Sequence, residues 1–221
     1  MPQINFTLNE IINTYDSRIT RAYCRARFKI IHLRFLDEIG QYFPTSGRIL
    51  DIGCGFGLFS LYYAKLFPNL EIIGLDINEH RILMARNAAK KLSISNCTYE
   101  VANATSYSYH SAFDAVYMLD IVHHIPRAAV LPLIKKLYEN LNPNCRLIIK
   151  DVNTKPAYKL CFTYLLDKML DIRTGVNYWE QRELMNLLES TGFVVFHHSM
   201  VDILPYPHIL YICQKPGSKD Q

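Results

Sequence analysis

The residues with the clearest chemical pattern are glycines that follow a short aliphatic run. Gly53, Gly55 and Gly57 occupy alternate positions directly after the run 48–52, and a helical pattern begins at Leu58. Glycine permits positive φ angles and lets a ligand approach the main chain closely, while a helix start offers unpaired N–H groups. The segment is therefore typical of a strand-to-helix turn that holds the polar part of a cofactor.

An acidic residue follows this turn at a spacing that suits a ribose. Asp76 ends the next aliphatic run, 19 residues after Gly57, where a carboxylate accepts both hydrogen bonds of a ribose diol. A dinucleotide-binding turn has a further glycine at the position of Leu58, so NAD is disfavoured. The alternative is a tight turn followed by an unrelated Asp on a surface loop.

A second chemical pattern combines a carboxylate with two imidazoles. Asp120 precedes His123 and His124 by three and four residues, so that in a helical turn the three side chains share one face. A carboxylate beside an imidazole suits a general base, and His123 is the preferred one. The alternative is that both histidines only pack or bond to the backbone.

Neither the cysteines nor the carboxylates indicate a metal site. The six cysteines lie far apart and form no CxxC pair, which argues against zinc and against a disulfide-stapled secreted fold, so free thiols are expected. Asp120, Asp151 and Asn153 offer oxygen ligands after two predicted strands. We interpret Asp151 as an ordinary carboxylate that closes its strand, and we predict no metal.

The composition restricts the class of protein. The chain has 221 residues, of which 50% are hydrophobic and 20% charged, with a net charge of +4. These values predict a globular domain and exclude a disordered chain, and the small charge does not indicate nucleic acid binding. No apolar run approaches the roughly 20 residues of a membrane-spanning helix, and no secretory signal is visible, so a cytoplasmic location is expected.

Aliphatic runs and amphipathic segments alternate along the chain, an order that predicts a parallel α/β sheet. Strands are expected at 48–52, 71–76, 98–102, 113–119, 146–151, 194–198 and 209–214. Helices are expected at 58–67, 79–92, 127–141 and 179–191. The predicted α/β fold is therefore a Rossmann-like, seven-stranded, mostly parallel sheet with flanking helices.

Five short motifs occur in order between Arg48 and Gln214. They are DIGCGFG at 51–57, LDIN at 75–78, the strand end Ala102-Asn103-Ala104, FDAVYMLDIVHHIP at 113–126, and Leu141-Asn142-Pro143 before RLIIKDV at 146–152. In this order and spacing they resemble the class I S-adenosylmethionine-dependent methyltransferases. The resemblance implies methyl transfer with S-adenosyl-L-methionine as cofactor and S-adenosyl-L-homocysteine as product.

The resemblance also implies roles for individual residues. Along the cofactor from its methionine end, the expected contacts are Asp51, Gly53 and Gly55, then Asp76 on the ribose, Ile77 on the adenine and Asn103 on its exocyclic amine, with Cys54, Ala104 and Leu119 completing the set. The family usually has Asp where Asn103 stands. An amide can accept from that amine and donate to a ring nitrogen, so this departure is chemically tolerable.

The resemblance also restricts which type of acceptor atom is methylated. The family's amino-methylating nucleic-acid enzymes carry Asp or Asn before Pro-Pro and an aromatic residue after the fourth strand, and that signature is absent here. The histidines with Asp120 instead favour O- or C-methylation. Two other functions stay open: a catalytically silent module that binds S-adenosylmethionine, and a methyltransferase acting on RNA or protein.

Two segments outside the alternation are candidates for acceptor binding. We expect an N-terminal helical lid at 1–44, followed by a methyltransferase domain at 45–221 with an apolar helical insertion at about 155–172. Arg18, Arg21 and Arg25, at helical spacing, form a cationic face that is either simply solvated or docks an anionic head or an acidic carrier protein. The expected acceptor is a small or lipid-like molecule. Peripheral contact of the protein with a membrane is compatible with such an acceptor.

Overall fold

The aliphatic runs form a seven-stranded, mostly parallel sheet, seen in a computed structural model that describes residues 2–109, 112–156, 175–200 and 206–217. The fold class predicted from the sequence is thus confirmed. The chain forms two compact units, residues 1–108 and 109–221. Nearly all of the predicted insertion at 155–172 lies outside the described residues.

The first unit places three helices before three parallel strands. In chain order its elements are α1 (Pro2–Thr14), α2 (Arg18–Ile30), α3 (Leu33–Gly40), β1 (Gly47–Ile52), α4 (Leu58–Leu66), β2 (Leu70–Asp76), α5 (Glu79–Lys91) and β3 (Cys97–Val101). Strand β2 lies between β1 and β3, with Ile52 opposite Leu75. The glycines after β1 and the carboxylate that ends β2 therefore lie at the same edge.

Local side-chain chemistry sets the helix starts in this unit. Ser17 caps α2 by accepting a hydrogen bond from Thr20 N at 3.3 Å, and Asn78 caps α5 by accepting one from Arg81 N at 3.0 Å. Such side chains satisfy N–H groups that the helix itself cannot. Helix α1 packs against α2, α4 and α5, so the N-terminal helices are part of this unit's core.

The second unit holds the remaining four strands. Its elements are β4 (Phe113–Leu119), a 3₁₀ turn (Val122–His124), α6 (Arg127–Glu139), β5 (Leu141–Val152), α7 (Gln181–Ser190), β6 (Val194–Ser199) and β7 (His208–Gln214). Strands β4 and β5 are parallel, and β7 pairs antiparallel with both β5 and β6. Parallel pairing brings the carboxyl ends of β4 and β5, and the residues that follow them, to one edge.

Strand β5 differs most from the sequence expectation. It begins at Leu141, which lies opposite Phe113, whereas the Asn-Pro pair predicts a turn before 146. The ladder shifts register between Phe113 and Ala115, and Asn144 adopts a positive φ of 64°. Such an irregularity accommodates proline and a left-handed residue inside a strand. The structure thus extends the strand through the predicted turn.

The boundary at residue 44 and the lid role of residues 1–44 stay predictions.

None of the helices within the described ranges combines the length and apolar character needed to cross a bilayer.

Candidate active site

The glycine turn (residues 53–57) is fixed to the end of β2 by main-chain hydrogen bonds. Gly53 N and Cys54 N both donate to Leu75 O, at 2.8 and 3.0 Å, and Gly57 N donates to Cys54 O at 2.9 Å. The φ angles of Gly53, Gly55 and Gly57 are 78°, 55° and 74°. All three lie in the left-handed region, which glycine adopts without a steric penalty. The alternating glycines are therefore required by the turn itself.

Asp76 lies across from this turn and is held by one backbone N–H on each oxygen. Its Oδ2 accepts from Gly55 N at 2.9 Å and its Oδ1 accepts from Asn78 N at 2.8 Å. Each carboxylate oxygen can accept more than one hydrogen bond, so both retain acceptor capacity. The carboxylate is thus pre-oriented, and its remaining acceptor capacity suits a diol.

The main chain at Gly55 has open space beside Asp76. A Cβ on Gly55 would meet nothing nearer than Asp76 Oδ2 at 4.0 Å, whereas a Cβ on Gly57 would lie 2.6 Å from the Tyr99 hydroxyl. Gly57 is therefore needed for packing, and Gly55 leaves an open face next to the carboxylate. Ile77 exposes 72% of its surface beside Asp76, which offers an aliphatic surface to an aromatic ring.

The other predicted cofactor residues in the first unit occupy different environments. Asp51 is buried, at 4% exposure. Burial, and after it the nearby Asp51 and Asp76 carboxylates, raise the pKa of the Cys54 thiol well above its ordinary value, so this thiol stays neutral at physiological pH. Asn103 and Ala104 follow β3. A neutral thiol in the turn thus lies near the carboxylates of Asp51 in β1 and Asp76 in β2.

The amide of Asn103 is already engaged. Its Oδ1 accepts from both the backbone N and the hydroxyl of Thr105, at 3.0 and 2.8 Å. The sequence predicts that this oxygen can accept the adenine amine. In the structure this oxygen accepts from Thr105, and the Nδ2 group is the part of the amide that can act as a donor.

An aromatic cluster covers the glycine turn and does not follow from the motif alone. The Tyr15 hydroxyl donates to Phe56 O at 2.7 Å. The ring of Tyr23 meets the Phe56 ring edge-on at 5.4 Å, and the Arg81 guanidinium lies 5.6 Å from the same ring. The signal that could have located this cluster is an aromatic residue set between two glycines of the turn.

In the second unit, Asp120 forms a buried ion pair. Its φ is 54°, its N–H donates to Lys150 O at 2.8 Å, and its carboxylate pairs with the Lys150 ammonium. The Lys150 side chain is fully buried and that of Asp120 is 6% exposed. Removing one partner of a buried ion pair typically costs about 3–5 kcal/mol, because the other charge is left uncompensated. The ion pair therefore fixes Asp120, the residue that follows β4. Leu119, the last residue of β4, is also buried.

The structure places the carboxylate of Asp151 on the His123 ring. Asp151 Oδ1 forms a hydrogen bond with His123 Nδ1, and Oδ2 accepts from His123 N at 3.1 Å. The side chains of His123 and Asp151 are 2% and 4% exposed. The ring of His124 lies 4.1 Å from that of His123. The two histidines are thus neighbours, and one of them is fixed by a buried carboxylate.

This arrangement adds a carboxylate to the one expected from spacing. Asp120 precedes the 3₁₀ turn and has a left-handed conformation, so the helical rule for residues three and four apart does not describe its position. That Asp120 lies beside an imidazole stays a prediction. Asp151, interpreted from the sequence as an ordinary carboxylate, contacts His123.

The segment before α7 holds His123 from another side. Asn177 N donates to His123 O at 2.7 Å, and the Tyr178 ring stacks on the His123 ring at 5.5 Å. Arg127 Nη1 donates to Tyr178 O at 3.0 Å, and its guanidinium lies 4.0 Å from the Trp179 ring. None of these four residues follows from the family motifs. Their positions depend on tertiary packing.

The arginine face (Arg18, Arg21 and Arg25) lies on α2 as predicted. Arg18 and Arg25 are exposed and Arg21 is partly exposed. Asp16, the nearby carboxylate, pairs with Lys91 at 2.8 Å, so its charge is already balanced. Among the described residues, the face therefore presents unbalanced positive charge. In the part of the chain that the structure describes, no group of three or more His, Cys, Asp or Glu side chains has the arrangement of a metal site.

Comparisons with known proteins show which family this chain resembles. The family described as "Methyltransferase domain" matches residues 15–198. The chain is 31% identical over 110 residues to phosphoethanolamine N-methyltransferase 3 of Arabidopsis thaliana, covering 49% of this chain and 22% of that protein. It is 28% identical over 167 residues to a ubiquinone biosynthesis O-methyltransferase of Ruegeria pomeroyi, covering 72% of this chain and 64% of that protein.

A solved structure shows the same architecture. A SAM-dependent methyltransferase from Methanosarcina mazei superposes with a TM-score of 0.68 at 25% identity, covering 82% of this chain and 98% of that one. The chain spans 22% of the length of the first curated relative named above and 64% of the length of the second.

Proposed function

Because the chain belongs to the methyltransferase-domain family, its cofactor is S-adenosylmethionine, and we propose that it transfers the methyl group to a small acceptor molecule. The observation that carries this proposal is the open face of the glycine turn beside Asp76. A carboxylate oriented by Gly55 N and Asn78 N, next to main chain that a ligand can approach, matches the needs of an adenosyl ribose.

Different residues would contact the ribose, the methionine part and the adenine of the cofactor. Asp76 accepts from the ribose diol, and Gly53 and Gly55 give close main-chain approach to the methionine part. Ile77 packs on the adenine and Asn103 donates to it. When bound, S-adenosylmethionine supplies a methyl group on a positively charged sulfur and becomes neutral S-adenosylhomocysteine. The turn therefore serves binding and orientation rather than proton transfer.

His123 is the proposed general base. A hydroxyl, an acidic carbon or an ammonium carries a proton that must leave when it is methylated, and an imidazole accepts it near neutral pH. The position of His123 after β4 supports this role, since ligands of open α/β sheets lie beyond the carboxyl ends of the strands. His124 is the second candidate for the general base. Asp120 supports the 3₁₀ turn through its ion pair with Lys150.

The proposed acceptor has an anionic head and an apolar body. The unbalanced charge of the arginine face supports the anionic head, on a free small molecule, a lipid-like molecule or an acidic carrier protein. O- or C-methylation is favoured. N-methylation is the second candidate, because the phosphoethanolamine N-methyltransferase match covers half of this chain.

Ligand binding and turnover test the proposal in sequence. Calorimetry with S-adenosylmethionine and with NAD should show binding of the first only. S-adenosylhomocysteine is then measured with phosphoethanolamine, phenols and fatty acids as acceptor probes, and one class should stimulate its formation. Absence of S-adenosylmethionine binding overturns the proposal, whereas binding without turnover on any probe favours the silent module.

Two glycine variants sharpen the binding test. Gly55→Val places a branched side chain in the open face at a φ of 55°, a conformation that β-branched residues rarely adopt, so S-adenosylmethionine affinity should fall strongly. Gly40→Ala is the matched control, because its Cβ would make an ordinary 3.4 Å contact with Tyr63. Equal affinities in both variants would contradict the assigned binding face.

A further inference from the structure

We propose that Asp151 is a positioning residue for His123, holding the imidazole with its Nε2 lone pair directed to the proton of the acceptor. This inference rests on the proposed function and deepens it. It assigns a role to a carboxylate that the family motifs leave without one.

The first step is geometric. Asp151 uses both oxygens on the same residue, one on the His123 ring Nδ1 and the other on the His123 backbone N–H at 3.1 Å. It also accepts from Val152 N at 2.7 Å, which fixes the carboxylate in turn. One side chain thus sets both the main-chain position and the ring orientation of His123.

The second step concerns the tautomer. A neutral imidazole carries one N–H, and a carboxylate at Nδ1 can only accept, so it selects the form with the proton on Nδ1. The lone pair then resides on Nε2. Stacking by Tyr178 at 5.5 Å and the bond from Asn177 N to His123 O at 2.7 Å hold the ring and its main chain in place.

The third step balances the proton and the charge. As the bond between acceptor and methyl forms, the acceptor proton moves to Nε2 and the electrons of the broken sulfur–carbon bond return to sulfur. His123 becomes an imidazolium, which the Asp151 carboxylate stabilises. Because both side chains are nearly fully buried, the attraction is weakly screened. The charge of Asp120 is balanced by Lys150.

Nuclear magnetic resonance of the imidazole nitrogens tests the tautomer without any acceptor. Long-range ¹⁵N–¹H correlation on the full chain, with His123→Gln identifying the resonance, should show the Nδ1–H form in the unmodified protein. Asp151→Ala should lose that preference, Asp151→Glu should restore it at least partly, and Asp114→Ala, a carboxylate that accepts from Asn142, should not alter it. An Nε2–H form in the unmodified protein overturns the proposal even if the variants fail to fold.

Turnover measurements distinguish a failure of the role proposed for Asp151 from a failure of the proposed methyl transfer. With an acceptor probe that the unmodified protein methylates, Asp151→Ala should reduce kcat roughly 10²-fold, the lower end of what a general base contributes, with S-adenosylmethionine affinity changed less than about twofold. Unchanged kcat overturns the role of Asp151 alone. If the unmodified protein makes no S-adenosylhomocysteine, the proposed function fails while the tautomer measurement still decides whether Asp151 positions His123.

Discussion

The Tyr15 hydroxyl donates a 2.7 Å hydrogen bond to the main-chain carbonyl of Phe56, a residue 41 positions away. This bond joins the loop between α1 and α2 to the glycine turn. Tyr15 is 2% exposed, and burial raises the pKa of its hydroxyl well above the ordinary value, so the donor stays protonated. The N-terminal segment thus supports the glycine turn.

Replacing Tyr15 should affect both stability and binding. Tyr15→Phe leaves the Phe56 carbonyl without this donor, which costs about 1–3 kcal/mol, or a Tm lower by about 2–4 °C per kcal/mol in a domain of this size. S-adenosylmethionine affinity should fall several-fold because the turn loosens. Tyr62→Phe is the control: it loses a bond to Asp37 at 3.0 Å and should lower Tm without changing affinity. Equal affinities in the two variants would separate Tyr15 from cofactor binding.

Asp76 should dominate the affinity for S-adenosylmethionine. Asp76→Ala removes two hydrogen bonds to a charged acceptor, a loss of roughly 2–4 kcal/mol, or about 30- to 700-fold in Kd. Calorimetry measures this loss, and thermal melting controls for the local bonds to Gly55 and Asn78. Asp37→Ala, a carboxylate that accepts from Tyr62, serves as the comparison. Unchanged affinity in Asp76→Ala would remove the ribose assignment.

The sequence predicts those parts of the site that depend on local backbone chemistry. Three glycines at alternate positions adopt positive φ, and Asp76 ends a strand whose preceding residues are mostly aliphatic, so both features follow from residue types alone. Strand β4 has the predicted bounds, Phe113–Leu119, because its apolar run is closed by Asp on the carboxyl side. These features need no tertiary information.

The parts that the sequence does not predict depend on pairing between elements. The spacing rule considers only residues that are close in sequence, whereas the register of β4 against β5, with Leu119 opposite Lys150, brings Lys150 to Asp120 and Asp151 to His123. A single-residue difference in register would break both pairings, since successive strand residues point to opposite faces. The engagement of Asn103 by Thr105 also depends on the local turn rather than on the motif.

The two histidines should differ in their effect on catalysis. His123→Gln should lower turnover roughly 10²-fold or more at near-neutral pH because the base is lost, with affinity for S-adenosylmethionine nearly intact. His124→Gln should have a smaller effect, since the carboxylate bonds described above act on His123. Steady-state kinetics with calorimetry checks both variants and the double variant. Full turnover in the double variant would show that positioning alone is sufficient for transfer.

Alkaline pH should destabilise the first unit. Burial raises the pKa of Cys24 and Cys97 from 9.0 to about 12 and that of Tyr63 and Tyr99 well above 10.0. For each group the folded pKa lies above the unfolded one, so its contribution is complete below the unfolded pKa and is lost as pH rises toward the folded pKa. Tm should therefore fall from about pH 9 upward, with phenolate absorbance rising as helical circular dichroism disappears. Complete ionisation of the tyrosines in a still-native protein would contradict this.

The arginine face should act on the acceptor through charge rather than through chemistry. Arg18 and Arg25 are exposed on α2, where solvent and salt screen any contact with an anionic head, so each contact contributes at most about 1 kcal/mol but guides the approach of the acceptor. Arg18→Ala combined with Arg21→Ala should raise KM for an anionic acceptor probe such as phosphoethanolamine, with kcat little changed. The increase should shrink as ionic strength rises, because added salt weakens the same attraction in the unmodified protein. Lys135→Ala combined with Arg182→Ala removes the same charge from exposed positions on α6 and α7 and is the matched control. A KM that rises equally in both double variants would mean that net charge, rather than the arginine face, attracts the acceptor.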